Sequence, residues 1–221
     1  MAGATGLIGQ QLLAAFSSFS GSGPTRVHAL ARRPPAPHAA RAAPFAVEWH
    51  RVDFAHLPPL PRAAWAFCAL GTTIAAAGSQ QAFRAIDFDA VLAFAHAARA
   101  AGVTRLAVVS SLGASARSGN FYSRVKGEME AAAAGCGFDS LVIVRPSLLA
   151  GDRAALGQPS RRGERLALAL TAPLVGLIPA AWRPIGAAVV ARAMIAALAE
   201  GRPGVRVIDS AELQRLGRAA D

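Results

Sequence analysis

Lysine and tyrosine are almost absent from this 221-residue chain, which holds one of each, Lys126 and Tyr122. Acids are scarce as well. Asp and Glu number 13 against 23 Lys and Arg, a formal net charge of +10. Such a balance raises the question of a nucleic-acid or membrane partner. The arginines are scattered, however, with no long run of like charge and no aromatics interleaved in a basic segment. Nucleic acid is therefore not expected as a partner. The heavy use of Ala, Gly, Pro and Arg points to a biased genome, which inflates charge without functional meaning. Two cysteines, Cys68 and Cys136, exclude a disulfide framework and leave no Cys/His ligand spacing. A reducing, cytoplasmic setting is expected from this. His28, His38, His50, His56 and His96 show no ligand spacing either, so no metal is expected.

Long apolar runs are nearly missing. The uncharged stretch Leu166 to Trp182 is broken by Pro173, Gly176 and Pro179 and bounded by Arg165 and Arg183. A spanning helix needs about 20 apolar residues, so no integral membrane segment is expected. This stretch reads as a buried helical pair or as a cap over a substrate pocket, and a membrane-surface role is the remaining alternative. No charged segment precedes an apolar one at the N-terminus, so no signal peptide is expected. With 53% hydrophobic residues the chain can bury a full core, and it reads as one domain, 1–221, with 158–186 as the cap.

Strands alternate with helices along the chain. Arg26 to Ala31, Phe45 to Val52, Ala64 to Leu70, Leu106 to Ser110, Leu141 to Val144 and Val205 to Ile208 read as strands. Gln10 to Phe19, Gln80 to Ala101, Asn120 to Ala134 and Val189 to Glu200 read as helices, with Gly102 as a C-cap. That alternation predicts an α/β fold with a doubly wound parallel sheet, a Rossmann fold. Gly3, Gly6 and Gly9 form G-x-x-G-x-x-G directly before a helix. Glycine there leaves room for a pyrophosphate, and the free amides around Thr5, Leu7 and Ile8 can bind its charge. Only Met1 and Ala2 precede the motif, so a truncated first strand is expected. In a doubly wound sheet that strand is central, and its loss predicts a slot between two others. A few upstream residues are expected to supply it.

Tyr122 and Lys126 lie four apart, which places both on one helix face. Random placement would give this spacing about once in 200 trials. Lysine offers a compact charge where arginine would present a bulky fork. A nearby ammonium stabilises tyrosinate and makes the phenol a usable general acid for a carbonyl oxygen. Ser110 and Ser111 end the preceding strand, where parallel sheets bind ligands. At the end of the Arg26 strand, Arg32 and Arg33 stand where an acid would select a ribose 2′-hydroxyl. Two guanidinium groups there suit a 2′-phosphate and predict NADP(H). Asp53, closing the third strand, is counted with the cofactor contacts.

Taken in order, the glycine motif, Phe67-Cys68-Ala69-Leu70-Gly71-Thr72-Thr73, Ser110-Ser111-Leu112-Gly113-Ala114, Tyr122 to Lys126 and Arg145-Pro146-Ser147-Leu148-Leu149 resemble the atypical short-chain dehydrogenase/reductases. The likeness is closest to the Tat-interacting-protein-like oxidoreductases and their bacterial relatives. It implies that Gly3, Gly6 and Gly9 line the pyrophosphate and that Leu70, Gly71, Thr72 and Thr73 pass the adenosine ribose. Lys126 would hold the nicotinamide ribose, Tyr122 would be the acid, and Ser111, with Ser110 second, would be the catalytic serine. Pro146, Ser147 and Leu148 would lie against the nicotinamide. The expected activity is NADPH-dependent reduction of a carbonyl or enone. The alternative is a regulatory protein that binds NADP(H) without turnover. The leucine and alanine content of 158–185 points to an apolar small-molecule substrate.

Overall fold

Alternating side chains along the central strands set the layering. Leu106 and Val108 point to one face and Ala107 and Val109 to the other. Leu141 and Ile143 likewise oppose Val142 and Val144. Strands buried on both faces need helices on both, which is the doubly wound arrangement. The computed structural model describes residues 1–19, 23–35, 44–150, 179 and 181–219. Within them the strands are β1 (Arg26–Ala31), β2 (Ala46–Arg51), β3 (Trp65–Cys68), β4 (Arg105–Val109), β5 (Ser140–Arg145), β6 (Leu149–Ala150), β7 (Ile185–Gly186) and β8 (Gly204–Asp209). The helices are α1 (Leu7–Phe16), α2 (Ile74–Ala77), α3 (Gln80–Arg84), α4 (Ala90–Ala100), α5 (Phe121–Ala134), α6 (Ala187–Ala199) and α7 (Ser210–Ala219).

All strand pairs are parallel: β1 with β2, then β3 with β4, β4 with β5 and β5 with β8. On one face α1 and α6 cover Val27, Phe67, Val109 and Val144 through Leu12, Phe16, Val190 and Met194. On the other, Val91, Phe94 and Met129 of α4 and α5 cover Leu30, Cys68, Val108 and Ile143. Each fully buried Leu or Met contributes about 1.5–3 kcal/mol, so Leu12→Ala would remove much of the hold of α1 on the sheet.

The sheet is interrupted where the sequence leads one to expect it. Among the described residues, only Met1 and Ala2 lie between β1 and β3: Met1 bonds to His28 and Leu30 on one side, and Ala2 bonds to Phe67 and Ala69 on the other. Below it lies a cavity of about 710 Å³, walled by Met1, Val27, His28, Leu30, Ala66 and Phe67. Met1's amine donates to the His28 carbonyl inside this slot. Its burial lowers the amine from 8.0 to about 6.

Several elements depart from the expectations, among them the unexpected two-residue strands β6 and β7. The helix predicted over 80–101 contains a π-helical turn at Ala85–Asp89, with one residue more per turn than its flanks. The short α2 and the C-terminal α7 had no counterpart in the sequence reading. Gly102 does end α4, with φ of 87°. The greater part of the expected cap, 158–186, lies outside the described residues. No helix among the described residues is long and apolar enough to cross a membrane. Cys68 and Cys136 are both free thiols, and burial pushes Cys68 up to about 11.

Candidate active site

Close backbone crossings bring the singled-out residues to one end of the sheet, beyond the C-terminal ends of its strands. Gly3 has φ of 79°, and a Cβ there would lie 2.5 Å from the Ala69 carbonyl. Only glycine allows the first turn to touch the turn after β3. Gly9 is just as constrained, since a Cβ would meet the Gly3 oxygen at 2.0 Å. Gly6 is the N-cap of α1 and, having no side chain, makes no side-chain cap hydrogen bond to it. Thr5, Gly6, Leu7 and Ile8 thus frame an uncapped helix start, the geometry that suits a phosphate. This cradle fits a dinucleotide pyrophosphate.

The second crossing involves α5. A Cβ on Gly127 would sit 2.1 Å from the Ala116 nitrogen, so the loop leaving β4 lies directly on the helix. Ser115 donates its backbone N–H to Ser123 at 3.0 Å, and Leu112 donates to the Pro146 carbonyl at 3.0 Å. Ser110 and Ser111 are thereby held beside both α5 and the end of β5. Their hydroxyl oxygens are buried and have no hydrogen-bond partner among the described residues. Such orphaned groups are rare and mark a place where a ligand or water completes the bonding.

Asn120 caps α5 by accepting from the Ser123 amide at 3.1 Å, which fixes the helix start two residues before Tyr122. The Tyr122 ring packs on Phe83, with centroids 5.0 Å apart. One turn later Lys126 is 3% exposed, and its Nζ lies 2.7 Å from Asp87 Oδ1. Asp87 Oδ2 accepts the Thr72 amide at 2.8 Å. A Cβ on Gly71 would come within 3.3 Å of Asp87 and 3.7 Å of Lys126. Gly71, Thr72 and Lys126 therefore meet around one carboxylate. Thr73 turns away, capping α2 through the Ala76 amide.

The sequence reading missed Asp87. It sits in the π-helical turn, fully buried. The signal was a lone acid in the apolar stripe Phe83, Asp87, Val91, spaced by four. Its partner Lys126 is the only lysine, and a buried acid needs a cation.

Farther out, Arg32 and Arg33 are exposed at the end of β1. Asp53 is exposed too. The Ala55 amide, then His56 and more weakly Arg32, hold its carboxyl below the usual range. Arg32 and Asp53 are thus neighbours. Pro146 is buried and Leu148 is 36% exposed. Ser147 is engaged structurally, donating to the Arg183 carbonyl and accepting from Ser210. The bidentate pair of Arg145 with Glu130 fixes this strand end against α5.

A parallel sheet with a glycine cradle at a helix start beyond its strand ends is the architecture of a Rossmann-type NAD(P)-binding oxidoreductase, and Ser110, Ser111 and the helix of Tyr122 and Lys126 lie at those same strand ends. Comparison with known proteins places the chain more closely. It is 37% identical over 175 residues to the mitochondrial protein fmp52 of Emericella nidulans, covering 75% of this chain and 70% of that protein. It is 35% identical over 159 residues to HTATIP2 of Rattus norvegicus, covering 70% of this chain and 62% of the relative. The solved structure of MoeE5 in complex with UDP-glucose and NAD superposes with a TM-score of 0.69 at 18% identity, over 99% of this chain and 80% of that one. No protein-family model matches. The chain belongs to the family of fmp52 and HTATIP2, atypical NAD(P)-binding oxidoreductases of the extended short-chain dehydrogenase/Rossmann superfamily.

Proposed function

We propose that this chain is an NADP(H)-dependent oxidoreductase that reduces a carbonyl or enone on a small apolar substrate. The observation that carries the reading is the pair of orphaned, buried hydroxyls of Ser110 and Ser111 beside the helix of Tyr122 and Lys126. A bound nicotinamide would supply the hydride, which is the cofactor's own chemistry. Ser111 would donate a hydrogen bond to the substrate oxygen and orient it. Tyr122 would hold the proton that oxygen receives. Lys126, steadied by Asp87, would hold ribose hydroxyls, and the α1 start would take the pyrophosphate. Arg32 and Arg33 favour the phosphorylated cofactor over NAD, the cofactor of the MoeE5 complex. The reading treats the chain as one domain with 158–186 over the substrate. Its two free thiols fit a reducing compartment, whether cytoplasmic or the mitochondrial one in the fungal relative's name.

The second reading is a regulatory protein that binds NADP(H) without turnover. It draws on the Lys126–Asp87 pair, which anchors a cofactor-holding lysine without any need for Tyr122. A panel of carbonyl and enone compounds assayed with NADPH separates the two. The enzyme reading expects turnover of at least one compound. It also expects Tyr122→Phe to keep cofactor affinity while losing about two to four orders of magnitude in rate. NADPH binding with no oxidation across the panel favours the regulator. Equal rates in Tyr122→Phe would remove the tyrosine from catalysis.

A further inference from the structure

Two histidines without ligand spacing in the chain meet across a strand pair. β1 and β2 run parallel with His28 opposite Glu48 and Leu30 opposite His50. Side chains alternate with a period of two, so His28, Glu48 and His50 share one face of this ribbon. His28 Nδ1 lies 3.0 Å from His50 Nε2 and 3.2 Å from Glu48 Oε2. The three ligand atoms all fall within 4.8 Å of one another. We propose that His28, Glu48 and His50 form a binding site for a divalent transition-metal ion such as zinc, separate from the dinucleotide site.

The distances suit an ion. Imidazole nitrogen and carboxylate oxygen bind zinc at about 2.0–2.2 Å. Two such atoms at tetrahedral or octahedral angles around one ion are about 3.0–3.5 Å apart, by the geometry of those bond lengths. Both separations lie in that range, so small rotations of Glu48 and His50 would complete a three-ligand set. Two imidazoles and one carboxylate are the donors that zinc, nickel and copper favour over magnesium or calcium. The carboxylate is already oriented, because Arg26 holds its other oxygen, Oε1, at 3.1 Å. A ligand fixed from behind binds metal more tightly than a free one.

The site is partly sheltered, with the His28 side chain 20% exposed and Glu48 41% exposed. His28 also lines the slot beside β1, which leaves a path for water as a further ligand. Arg26 opposes a cation nearby and should hold the affinity in the micromolar range rather than lower. A bound ion would tie β1 to β2, the ribbon that the short Met1–Ala2 backbone joins to the main sheet.

The test uses the full chain without a purification tag, titrated with Co²⁺ and with Zn²⁺. One ion per chain, and a Co²⁺ visible spectrum of nitrogen-ligated, four- or five-coordinate form, are expected. His28→Ala and His50→Ala should each weaken binding at least tenfold, and Glu48→Gln should do so too. His56→Ala and His96→Ala should leave it unchanged. Thermal melts with added Zn²⁺ should rise in the parent and stay flat in His50→Ala, a readout that stands even if one variant is less stable. Absence of binding at 100 µM free ion (about the weakest useful affinity), or binding that survives both His28→Ala and His50→Ala, would overturn the site.

Discussion

In the proposed function, single side chains carry the cofactor choice. Arg32 is exposed at the end of β1, and Asp53 lies near enough to feel its charge. A charge-assisted contact from Arg32 to a 2′-phosphate contributes about 1.5–3 kcal/mol, roughly ten- to a hundredfold in affinity. NADPH should therefore bind at least tenfold tighter than NADH by calorimetry. Arg32→Asp should remove most of that preference, and Asp53→Asn should enlarge it by lifting a competing negative charge. Equal affinities in the parent would take these arginines out of the site. The Asp87–Lys126 pair makes a different demand. Both groups are buried, so removing one leaves an uncompensated charge, at about 3–5 kcal/mol. Asp87→Ala should melt far below the parent. Asp87→Asn should be milder, since it keeps the shape and can still offer an oxygen to the Thr72 amide.

Helices and turns set which of these side chains meet. The loop after β4 crosses α5 at Gly127, and a methyl group there would press into backbone 2.1 Å away. Gly127→Ala should cost about 1–3 kcal/mol in urea unfolding and lower turnover as well, because Ser110 and Ser111 ride on that loop. An unchanged midpoint would mean the crossing gives way freely. Much at this scale was legible in the chain. The periodicity located the six main strands and α4 to α6, and the isolated tyrosine and lysine located the face of α5. What the sequence did not disclose has physical reasons. A π-helical turn leaves the apolar pattern nearly intact, so Asp87 looked like one more residue of a long helix. α7 follows β8 without a glycine or proline between them, and its end is unmarked. The pairing of His28 with Glu48 depends on strand register, which no linear spacing encodes.

The whole sheet is divided by its slot. Met1's buried amine has a folded value of about 6 against 8.0 when free. Between those values the unfolded chain holds the proton more firmly, so a polypeptide expressed with Met1 as its first residue should lose stability as pH drops from 8 to 6. The linkage is worth about 2–3 kcal/mol and is constant below pH 6. Fusing about five or six β-favouring apolar residues ahead of Met1 would replace the amine with an amide and fill the cavity. The fused chain should melt higher and lose this part of the pH dependence. A fusion that melts no higher, with the same pH slope, would show that the slot does not accept a strand. The slot also bears on cooperativity. β1 and β2 bond to each other, while among the described residues the main sheet reaches them through the short Met1–Ala2 backbone and through helix packing on the two faces. Cutting backbone continuity at one line lets the two sides open on separate free-energy scales. Native-state hydrogen exchange should therefore find the β1 and β2 amides released by sub-global opening, while those of β4 and β5 wait for global unfolding. A calorimetric trace would then broaden beyond the two-state width, and a ligand bridging the slot would sharpen it again.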